Sequence, residues 1–357
     1  MLQCSTKPLL VCKKNIFSLP NILIFSAFFI GILFLLIGSF FDLRISKFLA
    51  SPWLKNGQYY TSNIFSNFFE VIGCITISLI ICFCINILGF NLKFINSKKL
   101  SLVLQTIVFC SSIAFVVNEI YQDEIYAVID IFTNQKWSYD SSLQMLSICL
   151  ALILGILIWL STYLFIKTFS KETIVQLLKW SIISIAIITF TFFTVSILKN
   201  LLPRIRFRSI MYDFGGDLNR FQNWYELVHL DRDNVFAGIK TDHTKSFPSA
   251  HTSYTSSFLT LAFLPLFCNK FKTKKWQLFL FIAPIALVII VAFSRVMAGA
   301  HYTSDVSMGF LIAFCFTVFF FKATPIQKFK WLSSNYSIII FSLIPVSMLI
   351  GSIYGIS

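Results

Sequence analysis

The sequence predicts an all-α protein, a polytopic bundle of about nine transmembrane helices. Three observations carry that prediction. Of 357 residues, 57% are hydrophobic and only 12% are charged, where a soluble globular chain carries about 25% charged residues. The apolar residues gather in runs near the length that crosses a bilayer core, about 20 residues with a range of roughly 17 to 25. The runs lack the alternation of a strand, and an open sheet would leave backbone groups unpaired in lipid.

The runs fall at roughly 22–41, 70–90, 102–118, 144–166, 179–198, 251–267, 277–294, 305–322 and 336–355. The first follows Lys7, Lys13 and Lys14. It is too long for a signal-peptide core and no small-residue cleavage site follows it, so it reads as an uncleaved first helix. The third and sixth runs are the shortest. Residues 1–178 supply four helices with no assigned role. Residues 323–357 form a loop and an extra transmembrane helix.

Basic residues orient the bundle. The segments 1–21, 91–101, 167–178, 268–276 and 323–335, with the flanking Lys179 and Lys322, hold 16 of the 29 basic residues but a single acid, Glu172. The other 14 acids, Glu119, Asp123, Glu124, Asp130 and Asp140 among them, fall on the opposite side. Positive loops stay in the cytoplasm. The amino terminus is therefore expected inside and the carboxyl terminus outside, in a bacterial plasma membrane. The longest polar stretch, Lys199 to Phe247, is then an outer loop. Its aromatics Phe214, Phe221, Trp224 and Tyr225 suit an ordered loop at headgroup level.

The net charge of +14 does not point to nucleic acid, because the lysines sit in short clusters between apolar runs rather than on a basic face. The nine cysteines lie in apolar runs or in expected cytoplasmic segments without a CxxC pair. They read as small buried hydrophobes, so neither a disulfide framework nor a metal site is expected.

Chemistry concentrates where apolar runs end. SRVMAGAHYTSD, between the seventh and eighth runs, holds Arg295, His301 and Asp305. His301 and Asp305 are four apart at the expected start of a helix, so they should share a face. A carboxylate on one ring nitrogen would fix the tautomer and leave the other nitrogen as nucleophile or base. The Arg295 guanidinium suits an oxyanion. One such cluster also fits a buried polar network between helices. KSFPSAHTSY adds Ser249 and His251, and KNLLPRIRFR adds Lys199, Arg204, Arg206 and Arg208. All three stretches fall on the outer side. The other two histidines, His229 and His243, read as solvated loop residues.

In order and spacing the three stretches resemble the signature of the type-2 phosphatidate phosphatase superfamily, which also includes acid phosphatases and vanadium haloperoxidases. That signature runs K-x6-R-P, P-S-G-H, S-R-x5-H-x3-D. Here it stands as Lys199 with Arg206, Pro248-Ser249-Ala250-His251, and Ser294-Arg295 with His301 and Asp305. The resemblance covers residues 199–305 by motif and roughly 179–322 by helix pattern, which would be a six-helix-type catalytic core with an outer loop over 199–250. The chain departs from the pattern at Phe207 for Pro, Ala250 for Gly, and Pro203 where many members have Gly. These positions shape backbone and carry no reacting group.

The resemblance implies a metal-independent phosphoric ester hydrolase of a membrane lipid phosphate, with no cofactor. His301 would attack phosphorus, Asp305 would orient and charge-balance its ring, and His251 would serve as general acid and then base. Lys199, Arg206, Ser249 and Arg295 would hold the phosphate oxygens. Arg204 and Arg208 face either phosphate or headgroup and stay outside the set. Transfer of the phosphoryl group to a lipid or sugar hydroxyl is the alternative on the same fold. An anion-binding transporter is a third reading, which leaves the joint presence of nucleophile, acid and clamp unexplained.

Overall fold

The computed structural model describes residues 19–50, 64–92, 102, 106, 109–110, 141–226 and 241–323. Every regular element among them is helical. The principal helices are α1 (Leu19–Ala50), α2 (Ile64–Leu92), α3 (Ser141–Lys167), α4 (Lys171–Leu201), α5 (Phe207–Tyr212), α6 (Ala250–Ser256), α7 (Leu264–Phe267), α8 (Lys274–Met297) and α9 (Thr303–Val318). Six of these, α1 to α4, α8 and α9, are long and apolar enough to cross a membrane.

The nine expected spans are thus six among the described residues. Most of the run at 102–118, and all of 336–355, lie outside those residues. The run at 251–267 is helical throughout but is not one regular α-helix, so it is not among the six. It is α6, a 3-10 stretch over Ser257–Phe263 and then α7 in unbroken succession. Two local causes act together. Hydroxyls of Ser253, Thr255, Ser256 and Thr260 donate to backbone carbonyls three or four residues back, a bond that competes with the regular ladder. Pro265 stands in the first turn of α7 and brings no N–H to continue the helix.

Other helices outrun their apolar stretches. α4 begins at Lys171, capped by Ser170, whose Oγ accepts from Thr173 N at 3.3 Å. α1 continues through Arg44 and Lys47 to Ala50. Hydropathy marks the part of a helix that suits hydrocarbon, while the ladder continues into polar surroundings wherever caps allow.

The largest core cluster joins α2 (Ile77, Ile81, Ile85, Leu88) to α4 (Leu177, Trp180, Ile187). Trp180 donates its Nε1–H to Thr260 O at 2.9 Å, which satisfies its polar edge in the 3-10 stretch. A second cluster sets Ala27 of α1 against Phe310, Leu311 and Phe314 of α9. Close approach of α1 and α9 depends on Gly38, where a Cβ would stand 2.5 Å from Ser304 N. The seven described cysteines are free thiols. The first helices are therefore packed into the same body as the helices that carry the motifs.

Candidate active site

Backbone pairing brings the first two motif stretches together. Arg204 N donates to Thr244 O at 2.7 Å, Arg206 N to His243 O at 3.0 Å, and Ser246 N to Arg204 O at 3.1 Å. Arg206 is the N-cap residue of α5 and its side chain is buried. The second stretch then meets the third, with Ser249 N donating to Asp305 O at 3.0 Å. Gly309 permits this approach, because a Cβ there would collide with Ser249 O.

The third stretch is a tight link between α8 and α9. Ala300 N and His301 N both donate to Arg295 O, at 3.2 and 3.3 Å. Gly299 takes φ +62°, a conformation that costs little only for glycine. Its carbonyl accepts from Arg208 N at 2.8 Å, which ties the link to α5.

His301 is 2% exposed. Its Nδ1 lies 2.6 Å from Ser246 O. A carbonyl can only accept, so Nδ1 carries the proton and Nε2 keeps the lone pair. This corrects the expected direct bond to Asp305, whose Oδ2 stands 3.9 Å from Nδ1. The reason is the helix boundary. α9 begins at Thr303, so His301 is not on the helix and the one-turn spacing puts no shared face between the two residues. Asp305 instead reaches back to the helix start, accepting from Tyr302 N at 2.8 Å, the backbone half of a capping box. It also accepts from Ser246 Oγ at 2.6 Å. Asp305 thus holds the residue whose carbonyl holds His301. Burial, followed by the charges of Arg206, Arg295 and Lys199, keeps the His301 imidazole well below its usual range.

Arg204 lies behind this pair, 2% exposed. Nη1 is 2.5 Å from Asp305 Oδ1 and 2.8 Å from Ser304 Oγ, and Nη2 is 3.0 Å from Asp42 Oδ2. The guanidinium lies 3.9 Å from the Tyr302 ring centre and 5.4 Å from that of Phe221. Asp42 comes from α1 and also accepts from Ser304 N at 3.0 Å and from Ser304 Oγ. Arg204 is therefore a buried structural cation, committed to two carboxylates.

On the other side stands Glu70 of α2. Its Oε2 is 2.5 Å from Arg295 Nη1 and its Oε1 is 3.7 Å from His251 Nε2. The charges of Lys199 and Arg206 bear on both His251 and His301. Ser249 caps α6. Its Oγ accepts from Thr252 N at 3.4 Å and from Thr252 Oγ1 at 3.1 Å.

Contacts thus bring together His301, Asp305, Ser249, Arg295 and, through Glu70, His251, while Lys199 and Arg206 bear on the two histidines through their charge. Of the loop aromatics, Phe221 packs on Tyr302 at 5.4 Å and Trp224 stacks on Phe247 at 5.5 Å, both turned into the fold, while Tyr225 is exposed. Trp224 Nε1 also donates to Ser39 Oγ of α1 at 2.9 Å. His243 pairs with Asp213 at 2.7 Å near the surface, and His229 lies outside the described residues. Phe207, at one departure from the family pattern, is fully buried against Tyr302.

Sequence reasoning missed Asp42 and Glu70. The signal was present in each, an ionisable residue close to a long apolar run, but neither belongs to a motif.

Comparison with curated proteins and with solved structures returns no significant match. A family model does match. Residues 180–328, which hold all three motif stretches, match the PAP2 superfamily, consistent with the type-2 phosphatidate phosphatase superfamily that those motifs resemble.

Proposed function

We propose that the protein is an integral membrane phosphatase that hydrolyses a phosphomonoester or diphosphate of a lipid on the extracytoplasmic face. The observation that carries this reading is that both histidines stand beside Arg295, His301 N donating to its carbonyl and His251 joined to it through Glu70, with the charges of Lys199 and Arg206 bearing on both rings. A nucleophile, a proton carrier and a charge clamp together are what phosphoryl transfer requires.

In the first step His301 Nε2 forms a bond to phosphorus as the ester P–O bond breaks, and His251 gives a proton to the leaving oxygen. In the second, water attacks phosphorus and loses a proton to His251. The P–N bond then breaks, releasing inorganic phosphate and restoring both histidines. Lys199, Arg206, Arg295 and Ser249 neutralise charge on the non-bridging oxygens. Asp305 acts through Ser246 and Arg204 to keep His301 in its reactive tautomer.

The test is release of inorganic phosphate from a lipid phosphate by purified protein in detergent. His301→Ala should abolish turnover and the acid-labile phosphoenzyme. His251→Ala should slow substrates with poor leaving groups more than those with good ones. Activity should survive EDTA, and strict dependence on a divalent ion would refute the mechanism.

A further inference from the structure

Glu70 is set into the site by its neighbours on α2. One turn before it, Ser66 Oγ donates to Ser294 O at 2.9 Å, which pins the start of α2 to the end of α8. One turn after it, Gly73 packs against α6, with His251 Cβ 3.6 Å from where an added Cβ would stand. Between these two contacts the Glu70 carboxylate meets Arg295 at 2.5 Å. Its side chain is 15% exposed and that of Arg295 is 1% exposed.

The other carboxylates beside the site are differently engaged. Asp305 and Asp42 both pair with Arg204. Glu70 alone of the three bears on the phosphate clamp, through Arg295 and, electrostatically, Arg208. Its second oxygen stands 3.7 Å from His251 Nε2, so it occupies the neighbourhood in which a transferred phosphoryl group would lie. A phosphate and Glu70 cannot both take the same edge of one guanidinium, and two anions in a shielded site repel strongly.

We propose that Glu70 is the resident counter-anion of the phosphate clamp, holding Arg295 until the substrate's phosphate displaces it. Glu70 is a positioning residue, because it acts through Arg295. This rests on the phosphatase reading for the identity of the displacing group. The consequence is that Arg295 is not left an uncompensated buried cation between turnovers, and that the hold on the released phosphate is weakened.

The experiment is binding of orthovanadate to the full chain in detergent, read from calorimetric titration and from protection against heat. Glu70→Gln keeps the shape and an acceptor for Arg295 while removing the charge. It should bind vanadate about tenfold tighter than the unmodified protein. Glu70→Asp keeps the charge one methylene back and should fall between the two, and it serves alone if the glutamine variant does not fold. Glu172→Gln, an exposed acid at the far end of α4, should leave the affinity unchanged. Equal or weaker binding by both Glu70 variants would overturn the proposal, as would equal tightening by Glu172→Gln. Absence of lipid phosphate hydrolysis with tightening intact would sink the phosphatase reading alone. Hydrolysis without tightening would sink the role of Glu70 alone.

Discussion

At the scale of residues, the proposed nucleophile His301 is an imidazole held by the Ser246 carbonyl. Burial first, and the cations Arg206, Arg295 and Lys199 next, lower the proton affinity of His301. A depressed value means that the reactive neutral form persists as pH falls through the ordinary imidazole range near about 6.5. The acid limb of kcat/KM should therefore lie below that value, and Arg206→Met should move it upward; a pH profile from 4 to 9 checks both. Asp305→Asn should cost on the order of a hundredfold in kcat by disturbing tautomer and orientation. Ser246→Ala removes the 2.6 Å bond to Asp305 but keeps the carbonyl on His301, so it should cost about tenfold at most. His301 and Asp305 were legible as a pair in the sequence. Their geometry was not, because it turns on whether the helix starts before or after His301.

At the scale of elements, α1 is a structural partner of the site. Gly38 and Asp42 bring it against the start of α9, where Asp42 bonds Ser304 N and pairs with Arg204. Asp42→Ala would leave half of the Arg204 charge unmatched in a buried place, a change that destabilises by about 3–5 kcal/mol. Gly38→Ala would force a methyl against Ser304 N at a cost of about 1–3 kcal/mol. Thermal unfolding in detergent measures both, and the Asp42 variant should also lose activity as Arg204 shifts from Asp305. Hydropathy found α1, α2, α3, α4, α8 and α9, because a spanning helix needs an apolar run of set length. It did not show that 251–267 passes through a 3-10 stretch, since apolar content says nothing of hydroxyls that compete for the helix ladder or of Pro265.

At the scale of the whole molecule, the site gathers at helix ends. Lys199 is in the last turn of α4, Ser249 caps α6, Arg295 is in the last turn of α8 and Asp305 is in the first turn of α9. Ends of spanning helices lie near the membrane–water boundary. A lipid could then present its phosphate while its chains remain in hydrocarbon. Mixed-micelle assays should give a higher kcat/KM for a long-chain lipid phosphate than for its water-soluble headgroup ester, and equal turnover would refute the lipid substrate. Cysteine labelling should place Lys274 inside and Trp224 outside, since basic residues bias loops to the cytoplasm. Labelling of Lys274 from outside would reverse the proposed orientation.

The sequence by itself determined the membrane class, most of the described spanning helices and the motif residues from which the proposed site is built. Each of these is written in local composition or in short fixed spacings, which survive whatever the rest of the chain does. Only the tertiary structure decided what stands around that set. Ser246 O holds His301, Asp42 and Asp305 share Arg204, and Glu70 holds Arg295. The partners of these contacts are separated by tens to hundreds of residues in the chain. A buried charge takes whichever opposite charge packing brings within reach, to offset its desolvation, and that choice is made between helices rather than along them.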